Sequence, residues 1–425
     1  MGNKEDKIEK IEEIKKEENI VLSRTSFEFL SIIGRGGFGK VWKVSLRKNN
    51  KIFAMKEMSK TKIIDKRSEK SIKAERDFLS CMDHPFIINM HFAFQDKDNL
   101  YLGLDLVKGG DLRYHLCLRE NGFNEAEAKF LLANLILGLE YLHANKIIHR
   151  DIKPENLVLD SDGYMKITDF GIAHKMKENN KTETSGTPGY MAPEVLFCMN
   201  HTIVADYFAL GVIGYEIIIG KRPYLGSSRK EIKDVVMSKQ IKISLEKLPS
   251  GWTAEAADFV NKLIQRKPKA RLGHNSIEEI KGHPWYKYYN WKDLYLHKMS
   301  APFKPKPNIE ENIDEKYCSM KEVLGVNTEE RYRKIVSHSE YKTVFKNYLY
   351  FIRVGENIKD PFENPHDIYE ELERKEFLAF GFGNRVIVRK RRVESCGDIA
   401  IQLSEPNKEP PPKTPKHRKV VSSVK

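Results

Sequence analysis

The sequence predicts an α+β fold that opens on strands and passes into helix, and three stretches carry that prediction. Trp42, Val44 and Leu46 alternate with Lys43, Ser45 and Arg47, the period of two of a half-buried strand. Ile52-Phe53-Ala54-Met55-Lys56 is a short apolar run that reads as a second strand delivering one lysine. From Ser68 to Met82, Ile72, Glu75 and Leu79 recur at spacings of three and four, which puts them on one face of a helix.

The run ahead of the first strand is Gly34-Arg35-Gly36-Gly37-Phe38-Gly39-Lys40-Val41. A G-x-G-x-x-G pattern alone also opens the helix of a dinucleotide site, and glycine-rich turns are often only turns. The alternation that follows argues strand instead of helix, so the loop joins two strands as a flap. Glycine there lets backbone amides approach anionic oxygens that a side chain would hold away. Farther along stand His149-Arg150-Asp151-Ile152-Lys153-Pro154-Glu155-Asn156 and then Asp169-Phe170-Gly171. Asp151 offers an acceptor for a hydroxyl proton, Lys153 a cation for a transferring phosphate, and Asn156 with Asp169 two oxygen ligands for Mg2+. A single Asp or Asn would read as a turn residue. The ordered set is the equipment of phosphoryl transfer.

With these motifs in this order the chain resembles the eukaryotic protein kinases. The resemblance implies a bilobal protein-kinase fold, with a small mainly antiparallel-sheet N-lobe and a larger helical C-lobe, using ATP. It implies that Lys56 pairs with Glu75 and holds the α- and β-phosphates under a loop made by Gly34, Gly36, Gly37 and Gly39. Leu79, Met90, His149 and Phe170 become a stacked apolar core, which ordinary packing would also require of Leu79 and Met90. Leu104 takes the gatekeeper position, Asp105 to Val107 run along the adenine edge through backbone groups, and Val41 and Ala54 sandwich the purine. The segment from Asp169 to Met191-Ala192-Pro193-Glu194 resembles an activation segment. Lys153 together with Thr187 is the serine/threonine pattern. Glu194 is expected to pair with Arg271, and Asp206 to hold the catalytic loop from beneath.

Arg271-Leu272-Gly273, His283-Pro284-Trp285 and Ala301-Pro302-Phe303-Lys304-Pro305 resemble the AGC group, to which the cyclic-nucleotide-dependent kinases belong, and Asn312-Ile313-Asp314 resembles its tail's N-F-D element with the Phe replaced. The expected organisation is a charged extension at 1–26, an N-lobe and hinge at 27–107, a C-lobe at 108–285, an AGC-type tail at 286–383 and a basic, disordered tail at 384–425. In basophilic members, carboxylates equivalent to Asp111, Glu155 and Glu216 face arginines ahead of the acceptor, so basic protein substrates are expected. Ile172 implies threonine over serine. The position that carries the activating phosphothreonine in cyclic-AMP-dependent kinase is Glu183. Either this carboxylate reaches Arg150 and gives basal activity without phosphorylation, or it is a solvated loop residue.

The chain has 425 residues, long enough for two lobes with extensions and no disulfide reinforcement. Its five cysteines are scattered without zinc or redox spacing, which fits a reducing, cytoplasmic setting. No run reads as a signal peptide or a membrane span. Gly2 to Asn19 is dense in Lys and Glu with Ile8, Ile11 and Ile14 at a spacing of three, a narrow stripe for a helix lying on the kinase or a frayed tail. Met1-Gly2-Asn3 hints at myristoylation, against which Asp6 stands where Ser or Thr is wanted. Tyr332 to Arg353 is expected to pack on the small lobe. Phe377-Leu378-Ala379-Phe380-Gly381-Phe382 reads as a hydrophobic motif or as a local aromatic cluster. The net charge of +13 and the basic run from Arg389 raise nuclear import, anionic lipid or nucleic acid as partners. No zinc, helix-turn-helix or RNA-binding motif supports nucleic-acid recognition as the main activity. A pseudokinase scaffold would need a missing group, and Lys56, Glu75, Asp151, Asn156 and Asp169 are all present. No cyclic-nucleotide or calcium site is evident, so second-messenger control would require a regulatory subunit.

Overall fold

The structure, a computed structural model, describes residues 22–119 and 122–306, Phe345 and Tyr348, and the backbone of Tyr350 and Phe351. All of them belong to one compact unit, Met1–Glu356. The expectations for the N-terminal segment and its lipid pattern, for 312–314, for 377–382 and for the basic arm lie outside the described residues.

The small lobe is an antiparallel sheet of β1 (Phe27–Arg35), β2 (Gly39–Leu46), β3 (Lys51–Ser59), β4 (Met90–Gln95) and β5 (Asn99–Leu104), in spatial order β1-β2-β3-β5-β4. Helices α1 (Lys60–Asp65) and α2 (Glu69–Cys81) are inserted between β3 and β4. Strand parity sorts the side chains. Val44, Leu46, Phe53 and Met55 join Phe27, Phe92, Phe94 and Tyr101 in an aromatic cluster on one face. Ala54 and Met58, on the opposite parity, belong to the main core with Ile72 and Leu79 of α2. Lys56 lies between them in sequence and therefore shares their face. The predicted alternation is imperfect at Ser45, which is buried along with Val44 and Leu46.

The large lobe begins with α3 (Leu112–Leu118) and α4 (Glu125–Ala144). Helix α4 starts with a reciprocal cap, the Glu127 amide donating to Asn124 Oδ1 at 3.0 Å and the Asn124 amide to Glu127 Oε2 at 2.8 Å. Two short antiparallel pairs follow: β6 (Ile147–Ile148) with β9 (His174–Lys175), and β7 (Leu157–Leu159) with β8 (Met165–Ile167). They fix the two ends of the loop that holds Asp151 and the ends of the segment that holds Asp169. Helix α5 (Pro193–Leu196) and the almost wholly buried α6 (Val204–Ile219) come next. A Cβ on Gly211 would lie 2.6 Å from Leu263 Cβ, so glycine permits the close approach of α8 (Ala254–Leu263), which follows α7 (Arg229–Ser238). Helices α9 (Ile277–Lys281) and α10 (Trp291–Tyr295) complete the lobe. Among the described residues no helix is long and apolar enough to cross a membrane.

The chain then returns to the small lobe. Tyr350–Phe351, β10, pairs antiparallel with β4 and adds a sixth strand to the sheet. Gln95 donates to the Phe345 carbonyl at 2.8 Å, and Phe345 and Tyr348 are buried. Lys60 lies over the Phe345 ring and Arg76 of α2 over the Tyr348 ring. These described residues fall within the aromatic stretch 332–353 that was expected to pack here.

Candidate functional site

The glycine loop is the turn between β1 and β2, closed by Gly36 and Gly39 donating to each other's carbonyls at 2.9 and 3.3 Å. Only Gly39 is forced by the protein, since a Cβ there would lie 1.8 Å from the Glu57 carbonyl oxygen. A Cβ on Gly36 would meet nothing within 4 Å. That side of the loop is open. Lys66 donates to the Gly37 carbonyl at 2.7 Å and tethers the tip of the loop, a contact the sequence did not suggest. Gly34 packs against Val41.

Lys56 donates to Glu75 Oε1 at 2.6 Å and lies 3.6 Å from Asp169 Oδ1. Burial alone would lower its pKa, but the two carboxylates outweigh that and hold the ammonium charged, above the ordinary lysine range. Asp169 in turn is kept below the ordinary carboxylate range, chiefly by Lys56, against burial. Its φ of +65° is left-handed, a conformation that costs a non-glycine residue about 1–3 kcal/mol. The Phe170 ring beside it meets the buried His149 ring edge-on at 5.1 Å, and Leu79, Met90, His149 and Phe170 are all buried. The strand register sets Ala54 opposite Leu104, Leu104 opposite Met90, and Val41 opposite Lys56.

Past Leu104, the Asp105 side chain turns away from any hinge role. It accepts from His91 at 2.7 Å and from Asn89, and Lys166 lies at 3.4 Å. These partners overcome burial and lower its carboxyl to about 2. The Asp105 amide donates to the Asn89 carbonyl at 3.0 Å, and the Val107 amide has no partner among the described residues.

Asp151, Lys153 and Asn156 of the loop between β6 and β7 meet Thr187. Asp151 Oδ1 accepts from Thr187 Oγ1 at 2.7 Å and from the Thr187 amide at 3.1 Å. Asp151 Oδ2 accepts from Lys153 Nζ at 2.7 Å and Asn156 Nδ2 at 3.1 Å. Lys153 also donates to Thr187 Oγ1 at 3.0 Å. The loop is strung from below by buried Asp206 of α6, which accepts from the His149 and Arg150 amides at 2.9 Å each and from His143 Nε2 at 2.8 Å. That support allows Arg150 its left-handed φ of +68°. Arg150 donates through Nε to the Ile172 carbonyl at 2.7 Å and through Nη1 to Glu183 Oε2 at 3.1 Å. Glu194 and Arg271 form the expected pair, bidentate at 2.6 and 2.9 Å and fully buried.

The three expected acidic residues fall into two kinds. Asp111 caps α3, accepting from the Tyr114 amide at 2.8 Å. Glu155 and Glu216 come together, but around an internal cation: Arg113 donates to Glu155 Oε1 at 2.8 Å and to Glu216 Oε1 at 2.9 Å, and also reaches the Tyr190 hydroxyl. Sequence reasoning missed Arg113, because its partners lie 42 and 103 positions away and nothing local marks it. It also missed Asn180, buried in the activation segment, where Nδ2 donates to the His201 carbonyl at 2.8 Å.

Comparison with known proteins agrees with this geometry. Residues 27–286 match the protein kinase domain model. The chain is similar to Protein kinase 2 of Dictyostelium discoideum, 39% identical over 285 residues that cover 67% of this chain and 58% of that protein. It is 40% identical to Serine/threonine-protein kinase AtPK2/AtPK19 of Arabidopsis thaliana over 288 residues, 67% of this chain and 60% of that one. Ribosomal protein S6 kinase alpha-1 of Rattus norvegicus is 40% identical over 286 residues, 66% and 38% of the two chains. The aligned region spans about three fifths of the length of the first of these relatives. A matching domain over most of the chain, carrying the lysine–glutamate pair and the Asp151 loop, leads to one conclusion: the chain belongs to the protein kinase domain family.

Proposed function

We propose that the chain transfers the γ-phosphate of ATP to serine and threonine hydroxyls of protein substrates. The observation that carries this reading is the junction at Asp151, whose two oxygens contact Thr187, Lys153 and Asn156. In this reading Asp151 accepts the hydroxyl proton, Lys153 lies against the transferred group, and Thr187 holds both in register while the acceptor enters. Lys56, kept charged by Glu75 and Asp169, would hold the α- and β-phosphates under the glycine loop. Val41, Ala54 and Leu104 would enclose the base, with backbone of Asp105 and Val107 at its edge.

The donor set suits magnesium. Asn156 spends its Nδ2 on Asp151, which leaves Oδ1 for a ligand role, and Asp169 supplies a carboxylate kept ionised by Lys56. Two hard oxygens suffice where substrate phosphates complete the shell. When bound, the ion would neutralise phosphate charge during transfer.

Glu183 supports a second element, activity without activation-loop phosphorylation, because it already occupies Arg150. Basic residues ahead of the acceptor rest on Asp111, since Glu155 and Glu216 hold Arg113. The test is phosphorylation of a degenerate Ser/Thr peptide library with magnesium and ATP. Asp151→Asn is expected to lose about 10²- to 10⁴-fold in kcat while calorimetry shows unchanged ATP binding. Equal rates in the two proteins would refute the assignment.

A further inference from the structure

The acidic cradle beside the Asp151 loop is shaped for a guanidinium, and Arg113 already sits in it. Arg113 stands in the first turn of α3, with Nε on Glu155 Oε1 at 2.8 Å, Nη1 on Glu216 Oε1 at 2.9 Å and Nη2 on Glu216 Oε2 at 3.3 Å. The Tyr190 hydroxyl closes the far side, donating to Glu216 Oε2 at 2.5 Å. Glu216 and Tyr190 are buried, and the Arg113 side chain is only 26% exposed. The fork of the guanidinium is thus matched on each of its faces by a fixed acceptor or hydroxyl, the geometry that favours arginine over lysine. Glu155 is two residues from Lys153 and four from Asp151, so the cradle borders the place where an acceptor peptide must lie. A second guanidinium arriving there would meet a like charge already in contact with both carboxylates. Asp111, two residues earlier as the N-cap of α3, makes no ion pair among the described residues.

We propose that Arg113 acts as a built-in substitute for a substrate arginine: it fills the subsite formed by Glu155 and Glu216, so that the chain selects arginine through Asp111 alone, at one position ahead of the acceptor and not two. Arg113 is then a specificity-determining residue, and it also spares Glu216 from being buried without a cation. This inference rests on the kinase reading and narrows its substrate class.

The experiment is a positional-scanning Ser/Thr peptide library phosphorylated by the full chain and by Arg113→Met, which keeps the apolar stem and removes the charge. The wild-type chain is expected to enrich arginine at no more than one of the two positions that lie two and three residues before the acceptor. Arg113→Met is expected to gain arginine selection of about tenfold or more at the other. Arg113→Lys, which restores a cation, is expected to suppress that gain. Strong arginine selection at both positions by the wild-type chain overturns the proposal whatever the variants do. So does an Arg113→Met profile identical to wild type when that variant binds ATP normally. Failure of the wild-type chain to label any peptide would instead sink the kinase reading, and this inference with it.

Discussion

Replacing Glu183 with alanine separates a working carboxylate from a solvated one. Arg150 is held at three points: its amide on Asp206, its Nε on the Ile172 carbonyl, and its Nη1 on Glu183 at 3.1 Å. The first two survive the substitution, so the loop keeps its course and the loss is confined to the third. A hydrogen bond between charged groups contributes about 1.5–3 kcal/mol. The Arg150 side chain is 6% exposed and Glu183 29%, which places the pair between surface and core and favours the lower half of that range. Lys177, 63% exposed at 3.4 Å, adds little. If the ion pair exists only in the active arrangement, about 1.5 kcal/mol becomes roughly a tenfold fall in kcat, with KM for ATP unchanged. The assay is steady-state peptide phosphorylation by protein shown by mass spectrometry to carry no phosphate. Glu183→Gln, which keeps an acceptor and loses the charge, should fall between. Wild-type kcat in Glu183→Ala would refute the reasoning. The pH dependence has a defined sign: Arg150 and its neighbours depress the Glu183 pKa against burial, so its contribution persists below the ordinary glutamate range and is lost only as pH falls through that lowered value.

Two stability predictions accompany this one. Arg271→Ala strands the Glu194 carboxylate at 3% exposure and is expected to cost about 3–5 kcal/mol in urea unfolding, with an intact midpoint counting against a structural role for the pair. Asp105→Asn is expected to lose about 2 kcal/mol at pH 7, from a carboxyl lowered from 3.8 to about 2 by His91 and Lys166 against burial. Because the folded value is the lower one, that difference is complete above about pH 4 and shrinks as pH falls toward 2; a gap independent of pH would show that charge is not its source.

Legibility in the sequence followed the range of the physics involved. The strand at Trp42–Leu46 and the helix face of Ile72, Glu75 and Leu79 were readable because periodicity is local, and Ser68 and Met82 turn out to flank that helix as its caps. Lys56 was readable because two apolar residues on its parity fix the side it faces. The Asp151 loop was readable because phosphoryl transfer demands several residue types at once within a short stretch. Arg113 was opaque for the opposite reason. It sits in an ordinary amphipathic turn, and its meaning comes only from two carboxylates that the folded chain brings to it from Pro154–Asn156 and from α6. The side chain of Asp105 shows the same limit, since its partners come from β4 and β8. Phe345 and Tyr348 were visible as aromatics, but the face they cover depends on a return across the whole domain.

That return has a consequence for synthesis. Strand β4 ends at Gln95, and the strand that caps its free edge is about 250 residues later in the chain. At a translation rate of roughly 5–20 residues per second, the nascent small lobe carries an open ladder of unpaired amides and carbonyls for on the order of ten to fifty seconds. Tyr348 arrives against Arg76, the neighbour of Glu75, at the end of that interval. The ribosome must therefore deliver nearly the whole described chain before β4 gains this partner at Phe92 and Ala93, and a product that ends before Tyr350 leaves that part of the edge unpaired.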